Sequence, residues 1–257
     1  MRAVSESLPY FSEMQAGLKK HFSLDAFRTG QAEVISNVIA GRNAVVVMPT
    51  GAGKSLCYQL PAMLLDGVTV VVSPLIALMQ DQVDSLQSKG IPATFINSTL
   101  SDSERANRQQ RMRQGEYKLV YVAPERFRSE AFVNALTDAR LALYAIDEAH
   151  CISQWGHDFR PDYALLGQVR KRLRPPRTVA LTATATPEVR DDIVRVLLMK
   201  DPSISVAGFD RPNLFLEVAT VTGDADKRAA CAALASEGSG VIYCNTTSRP
   251  RRCTSTW

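Results

Sequence analysis

Short apolar runs recur along the chain, each about five residues long, apolar on both faces and rich in Val, Ile and Leu. Runs of this length and composition are typical of strands in a parallel sheet that is covered on both sides. We therefore predict strands over residues 44–48, 68–73, 93–96, 119–122, 141–146, 178–182 and 204–206.

Segments with helical periodicity separate these strands. We predict helices over residues 55–65, 75–88, 101–114, 163–172 and 187–197. Thr186 is a candidate N-cap of the last helix, because Pro187 then occupies the first helical position. The alternation of strand and helix predicts an α/β fold with a doubly wound, mostly parallel sheet and right-handed crossovers.

The pattern changes after residue 205. Residues 209–213 are typical of a connector, residues 226–237 form an Ala-rich candidate helix, and residues 241–245 form one further candidate strand. The segment 249–257 is rich in Arg and follows no period. Because a strand needs neighbours, we expect this tail to be the truncated start of another domain.

Composition narrows the class of protein only slightly. Of the 257 residues, 46% are apolar and 22% are charged, which excludes disordered, collagen-like and coiled-coil proteins. The 30 Lys and Arg against 26 Asp and Glu permit a polyanionic partner without requiring one. Five cysteines at irregular gaps, with no C-x-x-C pair, disfavour a zinc knuckle or a disulfide framework. We expect free thiols and no metal ligand among them.

The location of the protein is inferred from the absence of two patterns. No apolar stretch approaches the roughly 20 residues that a membrane span needs. The N-terminal sequence lacks the apolar core of an export signal. We therefore expect a cytoplasmic protein that does not enter a membrane.

A candidate phosphate-binding loop lies at residues 45–55, where a strand, a turn and a helix meet in the sequence VVVMPTGAGKS. Backbone N–H groups of such a turn, with the positive end of the helix, bind phosphates. Lys54 can reach the β- and γ-phosphates, and the Ser55 hydroxyl can bind Mg²⁺. Met48 stands where the general pattern begins with Gly, and an ordinary tight turn is the alternative. The predicted nucleotide contacts of this loop are Thr50, Gly51, Ala52, Gly53, Lys54 and Ser55.

Two carboxylates, Asp147 and Glu148, directly follow the predicted strand 141–146. The carboxyl edge of a parallel sheet is where ligands bind. Asp147 is predicted to hold Mg²⁺ through water, and Glu148 to orient and deprotonate an attacking water. Taken alone, the pair could equally be a helix N-cap. Combined with the phosphate loop, it predicts a metal-assisted nucleoside triphosphate hydrolase.

Several motifs together carry a family resemblance. The DEAH sequence at residues 147–150 and GAGKS at 51–55 resemble the superfamily-two helicases, and residues 27–31, 73–83, 121–126 and 181–186 are similar to further motifs of that superfamily. Most specific is CISQWGHDFRPDY at 151–163, which resembles the aromatic-rich loop of the RecQ family of DNA helicases. With residues 209–213 and 242–245, the resemblance covers about residues 18–248. Ser23 departs from a Gly that is common in the family.

The resemblance implies a RecA-like ATP-binding lobe and gives roles to residues of these motifs. Arg28 and Gln31 are implied to contact adenine, and the Gln31 amide can donate to and accept from its edge. For Gln31, a surface position at a helix start is the alternative. The implied catalytic residues are Lys54, Asp147 and Glu148. The residues implied to couple hydrolysis to movement are His150, Thr182 and Thr184.

DNA contacts are likewise implied by the resemblance. They fall on Ser73, Gln80, Glu125, Arg126, Trp155, His157, Phe159 and Arg160. Aromatic side chains among basic groups suit stacking on unpaired bases and pairing with phosphates. The alternatives are that Trp155 packs inward as a hydrophobic anchor and that His157 is structural. A solvated helix face is the favoured interpretation of the charge run Arg105, Arg108, Arg111 and Arg113.

The resemblance implies three parts: a leading segment with the adenine-reading motif (1–34), an ATP-binding helicase lobe (35–205), and a connector with the truncated start of a second lobe (206–257). We hypothesise an ATP-dependent 3′–5′ DNA helicase of the RecQ type that uses ATP and Mg²⁺, acts on single-stranded DNA and tailed duplexes, and serves repair and recombination. Since the family's second lobe carries arginine fingers, we expect no unwinding by this chain alone. The rival hypotheses are a non-hydrolysing fragment that binds ATP and DNA, and an RNA helicase of the same superfamily.

Overall fold

The computed structural model describes residues 7–156, 158–208, 215, 217–238 and 240–243. Seven strands form one sheet: β1 Ala44–Val47, β2 Val68–Val72, β3 Ala93–Ile96, β4 Leu119–Val122, β5 Leu141–Ile146, β6 Thr178–Thr182 and β7 Ser203–Val206. All described pairings are parallel, in the order β3-β4-β2-β5-β6-β1-β7. All seven strands predicted between residues 44 and 206 are present to within one residue at each end, which confirms the predicted α/β class.

Burial of the strands follows their place in the sheet. All residues of β1, β2, β3, β4 and β6 are buried, as runs that are apolar on both faces predict. The prediction is wrong for β7, where Ile204 is 52% and Val206 45% exposed. This strand pairs with β1 alone at one edge of the sheet, and Ile204 and Val206, two residues apart, lie on the same face, which is exposed.

Helices lie between the strands: α1 Phe11–Phe22, α2 Gln31–Ile39, α3 Leu56–Leu64, α4 Ile76–Gln87, α5 Asp102–Arg113, α6 Glu130–Thr137, α7 Pro161–Ala164, α8 Leu166–Leu173 and α9 Pro187–Val196. Two 3₁₀ helices cover Pro124–Arg128 and Ala149–Ile152. The single helix predicted over 163–172 is wrong, because α7 and α8 are separate elements that meet at Leu165. The predicted cap is confirmed, since Thr186 Oγ accepts the N–H of Val189 over 3.4 Å.

Helices cover both faces of the sheet because neighbouring strand residues point to opposite sides. Val45 and Tyr144 belong to one core cluster, while Val46 and Ala145 belong to the other. The first core includes side chains of α6, α8 and α9, and the second includes side chains of α2, α3 and α4. A third, smaller cluster packs α1 against α2 and α3. The helices before the first strand are therefore part of the same packed body.

Contacts divide the chain into two units, residues 1–209 and 210–257. The second unit contains α10 Gly223–Glu237, which begins three residues before the predicted helix 226–237. The strand predicted over 241–245 is wrong for residues 241–243, which are not in a strand; a strand forms only against a hydrogen-bonded neighbour. Residues 244–245 and the predicted connector 209–213 lie outside the described residues. Among the described helices, none combines the length and hydrophobicity that crossing a membrane requires.

Candidate functional site

The carboxyl ends of β2, β5, β6 and β1 lie side by side at one edge of the sheet, because these strands are parallel neighbours. The segments that follow them contain the phosphate-loop candidate, the DEAH sequence and the predicted coupling threonines. A cleft of about 520 Å³ opens there. Its lining combines these segments: Thr50, Pro74, Leu75, Glu148, His150, Asp158, Arg160, Ala183 and Thr184.

The phosphate-loop candidate is a tight turn that depends on two glycines. Gly51 and Gly53 have φ angles of 83° and 81°, in the left-handed region that favours glycine. The Lys54 ammonium donates to the carbonyl of Met48 over 3.1 Å, so the side chain folds back across the turn. Helix α3 begins directly after Ser55, so the positive end of its dipole lies at the loop. In this structure the N–H groups of Leu56 and Cys57 donate back to the carbonyls of Gly53 and Lys54 over 3.2 and 2.9 Å.

Met48 replaces the first glycine of the general pattern without strain. Its side chain is fully buried in the core beside α2, α3 and α4. Its N–H donates to the carbonyl of Thr182 over 3.1 Å, which continues the pairing of β1 with β6. Met48 is not among the described residues with positive φ. A side chain is therefore tolerated here, since the left-handed backbone is needed only at the two later glycines.

Gln31 is bound to the phosphate-loop candidate itself. It is only 2% exposed, so the alternative of a surface glutamine is wrong. Its Nε2 donates to the carbonyls of Ala52 over 3.2 Å and Gly53 over 3.0 Å, while its Oε1 accepts the N–H of Arg28 over 2.8 Å. The guanidinium of Arg28 donates to the carbonyl of Gly51. Both amide hydrogens of Gln31 are thus engaged by the loop in this structure.

The Asp147 carboxylate is withdrawn from water beside a second negative charge. Burial first, and then the charge of Glu148, raise the pKa of Asp147 from 3.8 to about 6. One Asp147 oxygen accepts the N–H of Glu148 over 3.0 Å. A hard cation would favour the ionised form, and oxygen donors such as Asp147 and the Ser55 hydroxyl suit Mg²⁺. The donor set therefore fits the predicted metal.

Glu148 has φ 47° and ψ 46°, a left-handed conformation that is uncommon for a side chain of this size. It precedes the 3₁₀ helix Ala149–Ile152, but its side chain makes no capping hydrogen bond there. The alternative that Glu148 is a cap is therefore not supported. Its carboxylate instead lines the cleft and lies 3.3 Å from Nδ1 of His150.

The three predicted coupling residues are in contact. His150 is 6% exposed, and its Nδ1 lies 2.9 Å from Thr182 Oγ1. Thr182 Oγ1 in turn donates to the carbonyl of Thr184 over 3.0 Å. Because a hydroxyl has one hydrogen, Thr182 must accept from His150, so Nδ1 of the ring carries a hydrogen. Nδ1 of His150 therefore lies next to both the Glu148 carboxylate, at 3.3 Å, and the Thr182 hydroxyl at the end of β6.

Residues 153–160 form the aromatic loop, of which His157 lies outside the described residues. Trp155 is 81% exposed and Phe159 is 38% exposed, so the alternative of Trp155 as an inward anchor is wrong. Arg160 closes the loop, because its N–H donates to the carbonyl of Cys151 over 3.0 Å. An apolar ring so exposed is free to stack on a planar ligand.

The Arg160 side chain ties the aromatic loop to the segment after β2. Its Nη1 donates to the carbonyl of Pro74 over 3.1 Å, and its Nε and Nη2 donate to Asp158 Oδ2 over 3.1 and 2.9 Å. The sequence did not single out Asp158, Pro74 or Leu75, although all three line the cleft. Asp158 could have been identified from the sequence, because it lies two residues before Arg160, a predicted DNA contact.

The remaining predicted DNA contacts lie apart from the cleft lining or are only partly accessible. Ser73 is 3% exposed, and its N–H donates to the carbonyl of Val122 over 3.1 Å. Gln80 is exposed on α4 and donates to Asp84 over 2.6 Å. Glu125 and Arg126 are half-buried in the 3₁₀ helix Pro124–Arg128, and burial lowers the pKa of Arg126.

The arginines of α5 make structural contacts. Arg105 donates to the carbonyl of Leu100 over 2.8 Å, and Arg108 donates to the carbonyl of Phe95 over 3.0 Å and covers its ring at 4.5 Å. Arg111 pairs with Glu116 over 2.6 Å. The prediction of a fully solvated face is wrong for the half-buried Arg105 and Arg108, because their long stems pack onto the sheet edge. Arg113 is exposed, as predicted.

One set of metal-ligand types lies beside the cleft: side-chain ligand atoms of His150, Cys151 and Asp158 fall within 4.8 Å of one another. Burial raises the pKa of Cys151 to about 12, the opposite of what a thiolate ligand needs. The Asp158 carboxylate is already paired with Arg160. Cys151 Sγ lies 3.7 Å from Nε2 of His150 and 3.9 Å from Asp158 Oδ2, so the three groups contact one another in this structure.

The sequence matches a known protein family and known relatives. Residues 28–193 match the DEAD/DEAH box helicase family. The chain is 43% identical over 235 residues (91% of it) to the ATP-dependent DNA helicase RecQ of Haemophilus influenzae, and covers 38% of that protein. It is 48% identical over 206 residues (79% of it) to the ATP-dependent DNA helicase RecQ of Bacillus subtilis, and covers 35% of that protein. The chain thus spans well under half the length of these curated relatives.

A solved structure agrees with the fold. A hypothetical ATP-dependent RNA helicase from Sulfolobus tokodaii superposes with a TM-score of 0.59 over 76% of this chain and 57% of that chain, at 19% identity. At this identity the likeness concerns the fold alone, and it confirms the expected RecA-like α/β lobe. The family match covers residues 28–193, which include the GAGKS, DEAH and aromatic-loop sequences around the cleft. The chain therefore belongs to the DEAD/DEAH box helicase family, and these two relatives, at 43% and 48% identity, are RecQ helicases.

Proposed function

We propose that this chain carries the ATP-binding lobe of a RecQ-type, ATP-dependent DNA helicase that uses Mg²⁺ and moves 3′ to 5′ along single-stranded DNA. The observation that carries the proposal is one cleft that is lined by Thr50 of the phosphate loop, Glu148 of the DEAH sequence and Arg160 of the aromatic loop. Its relatives bear the name ATP-dependent DNA helicase. The substrates would be single-stranded DNA and tailed duplexes, and the processes repair and recombination in the cytoplasm.

We divide the chain into the three parts that the motifs favour. Residues 1–34 would carry the adenine contacts Arg28 and Gln31, residues 35–205 the hydrolysis site, and residues 206–257 a connector with the start of a second lobe. The hydrogen bonds of Gln31 to Ala52 and Gly53 support a functional link between the first two parts. An adenine bound at Gln31 would therefore act directly on the phosphate loop.

The charges of the cleft suit phosphate transfer to water. Lys54 would leave the Met48 carbonyl and oppose the charge of the β- and γ-phosphates. Ser55 and Asp147 would hold Mg²⁺, which offsets the charge developing on the phosphate oxygens. Glu148 would accept the proton of the attacking water, and His150 would orient that carboxylate through Nδ1. Thr182 contacts the same Nδ1 at 2.9 Å and would help to keep the ring in this orientation.

The aromatic loop supports the nucleic-acid part of the proposal. Trp155 offers an exposed ring for stacking, and Arg160 connects the loop that bears it to the wall of the cleft. Stacking tolerates any base sequence, as movement along a strand requires. DNA bound at this loop would thus lie next to the residues proposed to hydrolyse ATP.

The test is nucleotide binding and steady-state hydrolysis by Glu148→Gln, with and without single-stranded DNA. Because the amide cannot accept a proton, ATP binding should persist and hydrolysis should fall by about 10²-fold or more. Glu33→Gln on the exposed face of α2 is the matched control, and should behave as the parent. If the parent binds ATP and DNA but shows no turnover at all, the chain is a non-hydrolysing binding fragment. Stronger stimulation or competition by RNA than by DNA would favour an RNA helicase instead.

A further inference from the structure

Two hydrogen bonds tie the aromatic loop to helix α9. Ser153 Oγ donates to Asp192 Oδ2 over 2.7 Å and accepts the backbone N–H of Trp155 over 3.1 Å. Ser153 is only 1% exposed, and the Asp192 side chain is 17% exposed. A single buried hydroxyl therefore connects a helical carboxylate to the backbone of the most exposed ring in the loop.

The Asp192 carboxylate fixes the direction of these bonds. Arg195, three residues later on the same helix, donates to its other oxygen, Oδ1. An ionised carboxylate only accepts hydrogen bonds, and Arg195 and Ser153 both hold the pKa of Asp192 below its ordinary value. Ser153 must then use its single hydrogen toward Asp192, which leaves a lone pair directed to the N–H of Trp155.

Helix α9 is itself fixed at the hydrolysis side of the cleft. It begins at Pro187, directly after the segment that contains Thr182 and Thr184, and Thr186 caps it. Val189 and Ile193 are buried in the core, so the helix cannot shift independently of the sheet. Asp192 stands one residue before Ile193 on this anchored helix, and it reaches the base of the aromatic loop.

The position of Trp155 in the aromatic loop depends on hydrogen bonds of the backbone. Trp155 is 81% exposed, so little packing of its own side chain fixes its orientation. Two backbone hydrogen bonds fix the main chain here: the Trp155 N–H donates to Ser153 Oγ, and the Gly156 N–H donates to the Ser153 carbonyl over 3.0 Å. They set the direction of the Cα–Cβ bond from which the ring extends. Without an acceptor at Asp192, Ser153 could turn its hydroxyl away from this role.

We propose that Asp192 is a positioning residue, which through Ser153 holds Trp155 in the orientation that single-stranded DNA requires. The part of this inference that concerns DNA rests on the proposed function. Asp192 acts here through another residue and need not touch nucleotide or DNA.

The chain contains two tryptophans, Trp155 and Trp257, so a Trp257→Phe reference reports on Trp155 alone. In this reference, we would measure fluorescence anisotropy without DNA for Asp192→Ala, Asp192→Asn and Asp191→Ala. Asp192→Ala should lower the anisotropy of Trp155, whereas Asp192→Asn retains an acceptor oxygen for Ser153 and should restore most of it. Asp191→Ala removes the same charge from an exposed neighbouring position of α9 and should have no effect.

The same proteins are then titrated with a thymidine oligonucleotide, with Trp155 quenching as the signal. Asp192→Ala should weaken binding by about fivefold and reduce DNA stimulation of hydrolysis, while hydrolysis without DNA stays at the level of the reference. Unchanged anisotropy and unchanged DNA affinity in Asp192→Ala would overturn the inference, as would an equal effect of Asp191→Ala. Absence of DNA binding by the reference itself would contradict the proposed function, whereas an anisotropy loss confined to Asp192→Ala would still support the positioning of Trp155.

Discussion

Nδ1 of His150 lies 2.9 Å from the hydroxyl oxygen of Thr182, and this contact joins the segment that follows β5 to the last residue of β6. The same Nδ1 lies 3.3 Å from the carboxylate of Glu148. Thr182 donates its own hydrogen to the carbonyl of Thr184, so it presents only a lone pair to the ring. Thr182 therefore holds the imidazole with its Nδ1–H beside the carboxylate proposed as the general base.

Thr182→Val should disturb the orientation of the His150 ring without changing the binding of ATP. Valine has nearly the same shape but cannot accept from His150, so the buried ring loses a hydrogen bond at a cost of about 1–3 kcal/mol. We expect kcat for ATP hydrolysis to fall by about tenfold, with little change in ATP affinity. Thr69→Val is the matched control, because the buried Thr69 hydroxyl on β2 has no hydrogen-bond partner among the described residues. A similar loss of kcat in Thr69→Val would mean that the effect is general to the sheet.

The contact between His150 and Thr182 could not be predicted from the sequence, because it depends on the order of the strands in the sheet. The strands themselves were predictable, because short apolar runs such as 68–72 are typical of strands that are buried on both faces of a parallel sheet. Their order was not, since nothing local in the sequence says that β5 pairs with β6. The hydrogen bonds from Gln31 to Ala52 and Gly53 likewise depend on how α2 packs beside the loop. Helices α1 and α2 were not predicted, because they precede the first strand and therefore lie outside the alternation of strands and helices along the chain.

Lys54→Ala should remove most nucleotide binding. In the structure, the Lys54 ammonium is already held across the turn by the carbonyl of Met48, within the loop that would receive phosphate. Without this charge, the β- and γ-phosphates lack their principal cationic partner from this chain. We expect ATP affinity measured by calorimetry to fall by at least about tenfold. Lys171→Ala on the exposed face of α8 is the control, and unchanged affinity in Lys54→Ala would refute the assignment of the loop.

Trp155→Ala should weaken binding of single-stranded DNA without destabilising the protein. The ring is 81% exposed, so its removal leaves no cavity in the core. The loss of one stacked base corresponds to about 1–3 kcal/mol of binding free energy. Affinity is measured by fluorescence anisotropy of a labelled oligonucleotide at several salt concentrations, and thermal unfolding is followed in parallel. A lower melting temperature with unchanged DNA affinity would show that the ring serves packing.

The raised pKa of Asp147 predicts how stability depends on pH without Mg²⁺. Burial and Glu148 raise this pKa from 3.8 to about 6, while Lys54 and His150 oppose the shift. Between about pH 4 and pH 6 the folded protein holds a proton that the unfolded chain releases, so the free energy of unfolding falls as pH rises, by at most about 3 kcal/mol.

Asp147→Asn lacks this titration, so the parent should lose stability relative to the variant as pH rises from about 4 to 7. Urea unfolding midpoints at a series of pH values measure the difference. Mg²⁺ at neutral pH should then stabilise the parent more than Asp147→Asn, because a bound cation favours the ionised carboxylate. Parallel pH profiles for the two proteins would contradict the predicted shift.

Gly53→Ala and Gly51→Ala form a matched pair that tests the contact between Gln31 and the loop. Both glycines have left-handed backbones, with φ of 81° and 83°, so each substitution carries a similar strain of about 1–2 kcal/mol. A Cβ at Gly53 would lie 2.6 Å from Nε2 of Gln31, whereas a Cβ at Gly51 would meet nothing within 4 Å. Gly53→Ala should therefore destabilise the protein by about 1–3 kcal/mol more, and lose more ATP affinity. In a Gln31→Ala background the crowding atom is gone, so the difference between the two alanine variants should shrink. If Gly53→Ala is still more destabilising than Gly51→Ala by the same amount in the Gln31→Ala background, the backbone alone determines the conformation of the turn. Gln31 then does not control the shape of the phosphate loop.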